Sequence, residues 1–124
     1  VPFAVDDTAG RLVLHVSGLA AHTGHMAAEP RVSLLVTAAD AAGQPMHDLA
    51  RVTLQALAHT PAPGAADWAS ARAAYLARFP EATPMTELPD FRFMTLRITG
   101  ARQVAGFGAA RSVPADELAS ILAA

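Results

Sequence analysis

Cysteine is absent from this 124-residue chain, which excludes disulfides, thiolate metal sites and cysteine nucleophiles. Lysine is absent too, so all nine basic residues are arginines. That removes Schiff-base catalysis and the commonest point-charge phosphate ligand. Any anion is left to Arg, His, hydroxyls and backbone N–H groups. A net charge of −2 and a pI near 6.2 lack the clustered positive charge of a nucleic-acid surface. No run approaches the roughly eighteen apolar residues of a membrane span. No cationic segment precedes an apolar one in the manner of a secretion signal. The expectation is a cytoplasmic protein with neither a nucleic-acid nor a membrane partner.

What is present is apolar. Hydrophobic residues make up 52% of the chain and mean hydropathy is +0.29, so residues 1–124 should pack as a single domain. Val1–Val5 reads as the end of a strand, Asp6–Gly10 as a hairpin turn and Arg11–Val16 as the next strand. Because Val1 stands abruptly inside a strand, a further strand is expected upstream of it. Ala20–Ala28 has room for one or two helical turns before Pro30. Arg31–Thr37 is mostly apolar and is expected to be central, or buried on both faces.

Ala38–Ala50, with Gly43 and Pro45, reads as a loop. Arg51–Leu57 alternates, placing Val52, Leu54 and Ala56 inward and Arg51, Thr53 and Gln55 on the other face. After the TPAPG break, Ala65–Phe79 carries Trp68, Ala71, Tyr75 and Phe79 on one helical face, spaced for packing against a sheet. Pro84 and Pro89 make Glu81–Pro89 a loop. Phe91–Thr99 alternates as a strand, Gly100 marks a turn, and Arg102–Phe107 is a last strand. Pro114–Leu122 reads as a terminal helix. The order predicts a mainly β fold, a small antiparallel β-barrel with flanking helices.

The most informative stretch is Leu12–Val36, LVLHVSGLAAHTGHMAAEPRVSLLV. A strand ends at Ser17, and a short segment with His22, Thr23 and His25 precedes a second strand. Free N–H groups at such a strand-to-helix junction suit an anion. Ser17 has an equally simple reading as a turn cap. His22 and His25 are spaced i, i+3, but no neighbouring Asp, Glu or Cys completes a metal set. Ser17 with His22 lacks the G-x-S-x-G elbow of a nucleophile. No catalytic residue and no metal ligand is assigned.

The SGLAAHTGH and PRVSLL segments, Arg51–Ala56, Tyr75-Leu76 with Phe79-Pro80, and Asp90-Phe91 leading to VAGFG occur in one order. Together they resemble the pyridoxamine 5'-phosphate oxidase-like FMN-binding split-barrel family, and within it most closely the haem-utilisation branch. The resemblance implies an FMN split β-barrel that is a homodimer with the flavin between subunits. It implies an oxidoreductase passing electrons or hydride between FMN and a small organic substrate. It carries cofactor contacts onto Ser17, His22, Thr23 and Arg51, with Gln55 on the Arg51 strand face in reach of the ring edge. Phe107 and Gly108 match a segment near the flavin.

FMN is expected rather than FAD, since no G-x-G-x-x-G fingerprint exists for a pyrophosphate. A charged fraction of 16% agrees with a surface partly covered by a second subunit. Two other readings follow from the same resemblance. One is a haem-binding or haem-degrading barrel, whose relatives typically add a C-terminal histidine ligand, whereas this chain has no His after His59. The other is a non-catalytic flavin-binding barrel.

Overall fold

The structure is a computed structural model and describes residues 1–37, 50–104, 110–114 and 116–117. Six strands, β1 (Ala4–Asp6), β2 (Arg11–Ser17), β3 (Arg31–Thr37), β4 (Arg51–His59), β5 (Phe91–Val104) and β6 (Ala110–Val113), form one sheet. Two α-helices, α1 (Ala21–Ala28) and α2 (Ala66–Arg78), and a 3-10 helix, Pro80–Glu87, complete the described chain. The sheet order is β1-β2-β5-β4-β3, with β6 also on β5, and every pairing is antiparallel. The fold is mainly β with flanking helices, as the order of elements predicts, and its sheet is compatible with the split β-barrel that the resemblance implies.

The spine of the sheet is β5. Its first half pairs with β2, from Leu12↔Leu96 to Ser17↔Phe91, and its second half pairs with β6. Its other edge pairs with β4 from His59↔Thr95 to Arg51↔Val104. Strand periodicity then sorts side chains to two faces. Leu12, Leu14, Val16, Leu54, Ala56, Met94, Leu96, Ala101 and Val113 form the inner cluster. Val13 and Phe93 turn the other way and join Ala71 and Tyr75 of α2, with Trp68 and Phe79 packed against them. The helical face read from the sequence is therefore the face that α2 buries.

A polar bracket holds α2 to the β1–β2 hairpin. The Asp6 side chain is 3% exposed and accepts hydrogen bonds from Ser70 Oγ at 2.6 Å, Thr8 Oγ1 at 2.7 Å and Arg11 at 3.3 Å. Arg11 also donates to the Asp67 carbonyl at 2.9 Å. Burial pulls the Asp6 carboxyl upward, but the Ser70 and Thr8 hydroxyls and the Arg11 charge outweigh it and hold the group below its ordinary value of 3.8. A buried carboxylate survives on such terms, since each oxygen has a partner.

Four local expectations are corrected. Gly100 is not a turn: β5 runs through it for 14 residues. The pairing instead shifts between Gln55 and Ala56, so Thr99 is an extra residue, a β-bulge. A Cβ at Gly100 would sit 3.0 Å from Gln55 Oε1, the mobile end of that side chain. Second, β3 is neither central nor buried on both faces. It lies at one end of the strand order, alternates exposed and half-buried residues, and leaves Leu35 59% exposed.

Third, Pro84 does not keep the segment after α2 irregular. The Thr83 and Thr86 hydroxyls donate to the Pro80 and Thr83 carbonyls, sustaining 3-10 turns. Fourth, Arg102–Val104 is not a separate strand but belongs to β5, and Ala110–Val113 forms a further strand that no alternation announced. The loop reading for 38–49, Phe107, Gly108 and the end of the terminal helix lie outside the described residues.

Candidate functional site

The strand-to-helix junction is built from Ser17 outward. Its Oγ accepts the Leu19 N–H at 3.1 Å, and its carbonyl accepts the Thr23 hydroxyl at 2.6 Å. This is a hydroxyl-capped turn that sets the angle between β2 and α1. Thr23 is 1% exposed, so its hydroxyl is spent inside the turn. His22 and His25 face solvent. The first turn of α1 contains no acidic residue, and Ala20 at its N-cap supplies no side-chain hydrogen bond.

Arg51 and Gln55 belong to a different place. The chain enters β3 at Arg31, which pairs with Leu57, whereas Arg51 pairs with Thr37 at the far end of the same ladder. Six residues of strand separate the two ends, roughly 20 Å. Within one chain the structure thus brings Ser17, His22 and Thr23 together, leaves Arg51 at the far end of the ladder, and puts Gln55 on the Arg51 strand four residues further on, opposite Ser33 and two residues from the partner of Arg31. Phe107 and Gly108 lie outside the described residues.

The outward side of β4 carries a feature that the sequence reading stopped short of. Two shallow grooves adjoin there and share Leu57. One, of about 400 Å³, is lined by Ala9, Arg11, Leu57, Ala58, His59, Thr95 and Arg97. The other, of about 340 Å³, includes Arg31, Ser33, Gln55 and Thr99. Each is in the size range of ligand clefts, about 300–1,000 Å³. Leu57 and Arg97 are cross-strand partners, as are His59 and Thr95. Arg31 bonds Glu29 at 2.6 Å across an exposed pair, whose partners exchange readily with solvent or ligand. Arg97 is exposed, and no side-chain hydrogen bond or ion pair engages it among the described residues.

His59 stands where β4 meets the start of α2. Its Nε2 lies 3.2 Å from Asp67 Oδ2, and the ring is 64% exposed. Asp67 Oδ1 accepts the Trp68 N–H at 3.1 Å. Placed in the first turn of α2, the carboxylate also faces the positive end of that helix. Among the described residues no three His, Asp or Glu side chains gather to hold a bare metal ion. His15 differs from His59. It is enclosed by Phe93, Phe91 and Tyr75 at ring distances of 4.8, 5.1 and 5.5 Å, and burial lowers its pKa below the usual 6.5.

The signal for the trough was present in the sequence: Leu57 and His59 continue the Gln55 face at period two. The alternation read over Arg51–Leu57 stops two residues short of His59, where β4 ends. That Asp67 meets His59 is a tertiary fact with no periodic signature.

Several solved structures resemble this one. A haem-binding protein from Mycobacterium smegmatis superposes with a TM-score of 0.83 at 32% identity, covering 97% of this chain and 48% of that one. The present chain therefore spans about half the length of that relative. HutZ, the haem storage protein of Vibrio cholerae, superposes with a TM-score of 0.68 at 22% identity, over 77% of this chain and 66% of that one. ChuZ of Campylobacter jejuni gives 0.77 at 15% identity, over 91% and 46%. At these identities the last two speak for the fold alone. No protein of curated function matches the chain. No helix among the described residues is long and apolar enough to cross a membrane. Residues 2–120 match the CREG beta-barrel family, and the chain belongs to that family.

Proposed function

We propose that this chain is the barrel portion of a haem-binding protein, and that haem is received on the trough outside β4. The observation that carries the reading is the trough itself, in which the apolar Leu57 is flanked by Arg97 and Arg31. A porphyrin is a flat apolar plate with carboxylates on one edge, and an apolar strip with guanidinium groups beside it matches that pattern. The 32% identity to a haem-binding protein across 97% of the chain supports it. The chain binds or carries the porphyrin in this proposal, and no side chain is given an acid or base role. Titration with hemin, followed by the Soret band, tests it. A saturable one-site shift at micromolar concentration is expected, and absence of any shift defeats the reading.

FMN is the second reading, favoured by the uncapped first turn of α1 with the exposed His22 beside it. Against it, the Thr23 hydroxyl is committed inward and Arg51 lies at the far end of β4. FMN fluorescence quenching decides between the two. In either reading the chain functions as a homodimer, a proposal supported by the exposed Leu35 on the uncovered face of β3. Sedimentation equilibrium checks it.

A further inference from the structure

We infer that Arg97 and Arg11 form a binding site for one oxyanion, the carboxylate or phosphate of a small organic acid whose apolar part lies against Leu57. The inference goes beyond the haem-binding reading and does not depend on it. It starts from a row across the sheet. Asp6 pairs with Arg11, Leu12 with Leu96, Arg97 with Leu57 and Leu57 with Arg31. One residue beyond the pair of Leu12 and Leu96, Arg11 and Arg97 stand abreast on neighbouring strands. From β1 to β3 the outward row is therefore Asp6, Arg11, Arg97, Leu57 and Arg31.

Neighbouring strands lie roughly 5 Å apart, and like charges directly opposite in a sheet repel. Arg11 and Arg31 each have a carboxylate. Arg11 Nε and Nη2 both donate to Asp6 at 3.3 Å, and Nη2 also reaches the Asp67 carbonyl at 2.9 Å. Arg31 bonds Glu29 at 2.6 Å. Arg97 is exposed and has no such partner among the described residues. The nearby acids are already occupied. Asp6 is 3% exposed and also takes Thr8 and Ser70, and Asp67 divides its oxygens between His59 and the Trp68 N–H. Three guanidinium groups against the carboxylates of Asp6 and Glu29 leave one positive charge unbalanced, and it is that of Arg97.

The unbalanced charge borders a groove with room for a ligand. Arg11, Arg97 and Leu57 line one groove of about 400 Å³. Arg11 is 15% exposed and its Nε and Nη2 are fixed, whereas its Nη1 has no partner among the described residues. The fixed guanidinium and the exposed one can grip a single oxyanion from two sides. Such an anion accepts charge-assisted hydrogen bonds from both and removes their repulsion. Leu57, across the ladder from Arg97, offers apolar contact to the body that carries the anion. Arg31 lies beyond Leu57 and is matched by Glu29, so it takes no part.

The test is calorimetric titration of the chain with benzoate and with phenyl phosphate, at constant ionic strength in chloride, repeated on two variants. Saturable one-site binding of at least one of them is expected, and the one that binds names the head group. Arg97→Gln should weaken it about tenfold, through the loss of charge-assisted bonds. Arg31→Gln should leave it within about twofold. Without ligand, Arg97→Gln should melt no lower than the wild type, because a like-charge contact is lost. The bound acid should raise the melting temperature of the wild type and not that of the variant. Far-UV circular dichroism establishes that Arg97→Gln is folded, and Arg97→Met supplies a second variant if it is not. Saturation by neither acid overturns the inference, as does equal weakening by Arg31→Gln. Hemin binding without binding of either acid overturns this site and leaves the haem reading standing. Binding of an acid without hemin binding does the reverse.

Discussion

The outward side of the sheet is two surfaces, and β5 crosses from one to the other. Under α2, Phe93 is 1% exposed in a cluster with Trp68, Tyr75 and His15, and Thr95, 3% exposed, stands at the edge of the groove. Two residues further on, Arg97 and then Thr99 and Arg102 face solvent. The inner side of the same strand stays apolar throughout, from Met94 through Leu96 to Ala101. The covered half spends its side chains on aromatic packing and a satisfied polar bracket. The open half keeps arginines, an imidazole and Leu35 available. A packed surface and an open one thus lie on one strand face, divided by where α2 stops.

The sharpest way to break the covered half is Phe93→Ala. It removes a fully buried ring and leaves a cavity, at an expected cost of about 3–5 kcal/mol in urea unfolding. Hemin affinity should follow only insofar as the chain unfolds. Asp6→Asn comes next, because it leaves Arg11 half-buried beside an uncharged partner. A loss of about 2 kcal/mol at pH 7 is expected. Its pH signature is specific. A carboxyl held below 3.8 contributes stability that is complete above that value and lost as pH falls through the lower folded value. The difference between wild type and Asp6→Asn should shrink below pH 4, and a constant difference would assign the effect to packing.

His15 gives a smaller, separate pH effect. Its folded pKa is lowered from 6.5 by burial, so the neutral ring is favoured. Stability is complete above 6.5 and falls as pH drops through the lower folded value. His15→Phe should flatten that slope in urea midpoints between pH 7 and 5, and an unaltered slope would locate the titration elsewhere.

The open half should answer in the opposite way. Arg97→Ala should leave unfolding within about 0.5 kcal/mol of wild type while weakening hemin several-fold. Equal loss of stability and binding would erase the distinction between the halves. Leu35→Glu should change the monomer fold least of all and shift sedimentation toward monomer.

Much of this could be read along the chain. Leu12, Leu14 and Val16 against Val13 and His15, and Trp68, Ala71, Tyr75 and Phe79 on one helix face, follow from periods of 2 and 3.6. The candidate site was legible in part. Ser17 and Thr23, both named from the resemblance, meet in a turn that uses up the Thr23 hydroxyl. Arg51 belongs to the polar face assigned to it, at the opposite end of the β3–β4 ladder within one chain. His59 was excluded from the strand by a boundary drawn two residues early, and boundaries are where single-sequence reading is weakest.

By itself the amino-acid sequence determined the binary pattern: a strand-rich domain, one packing helix, a junction at Ser17, and no thiol or lysine chemistry. These are local properties, set by side chains a few residues apart. Only the tertiary structure decided that β3 lies at one end of the strand order, that Gly100 continues β5 past a bulge at Thr99, and that α2 covers half of one face. It alone carried Asp67 to His59 and Arg97 alongside Leu57. Pairing register and helix placement depend on contacts between segments tens of residues apart, and no local period encodes which of two similar apolar strands will find the edge.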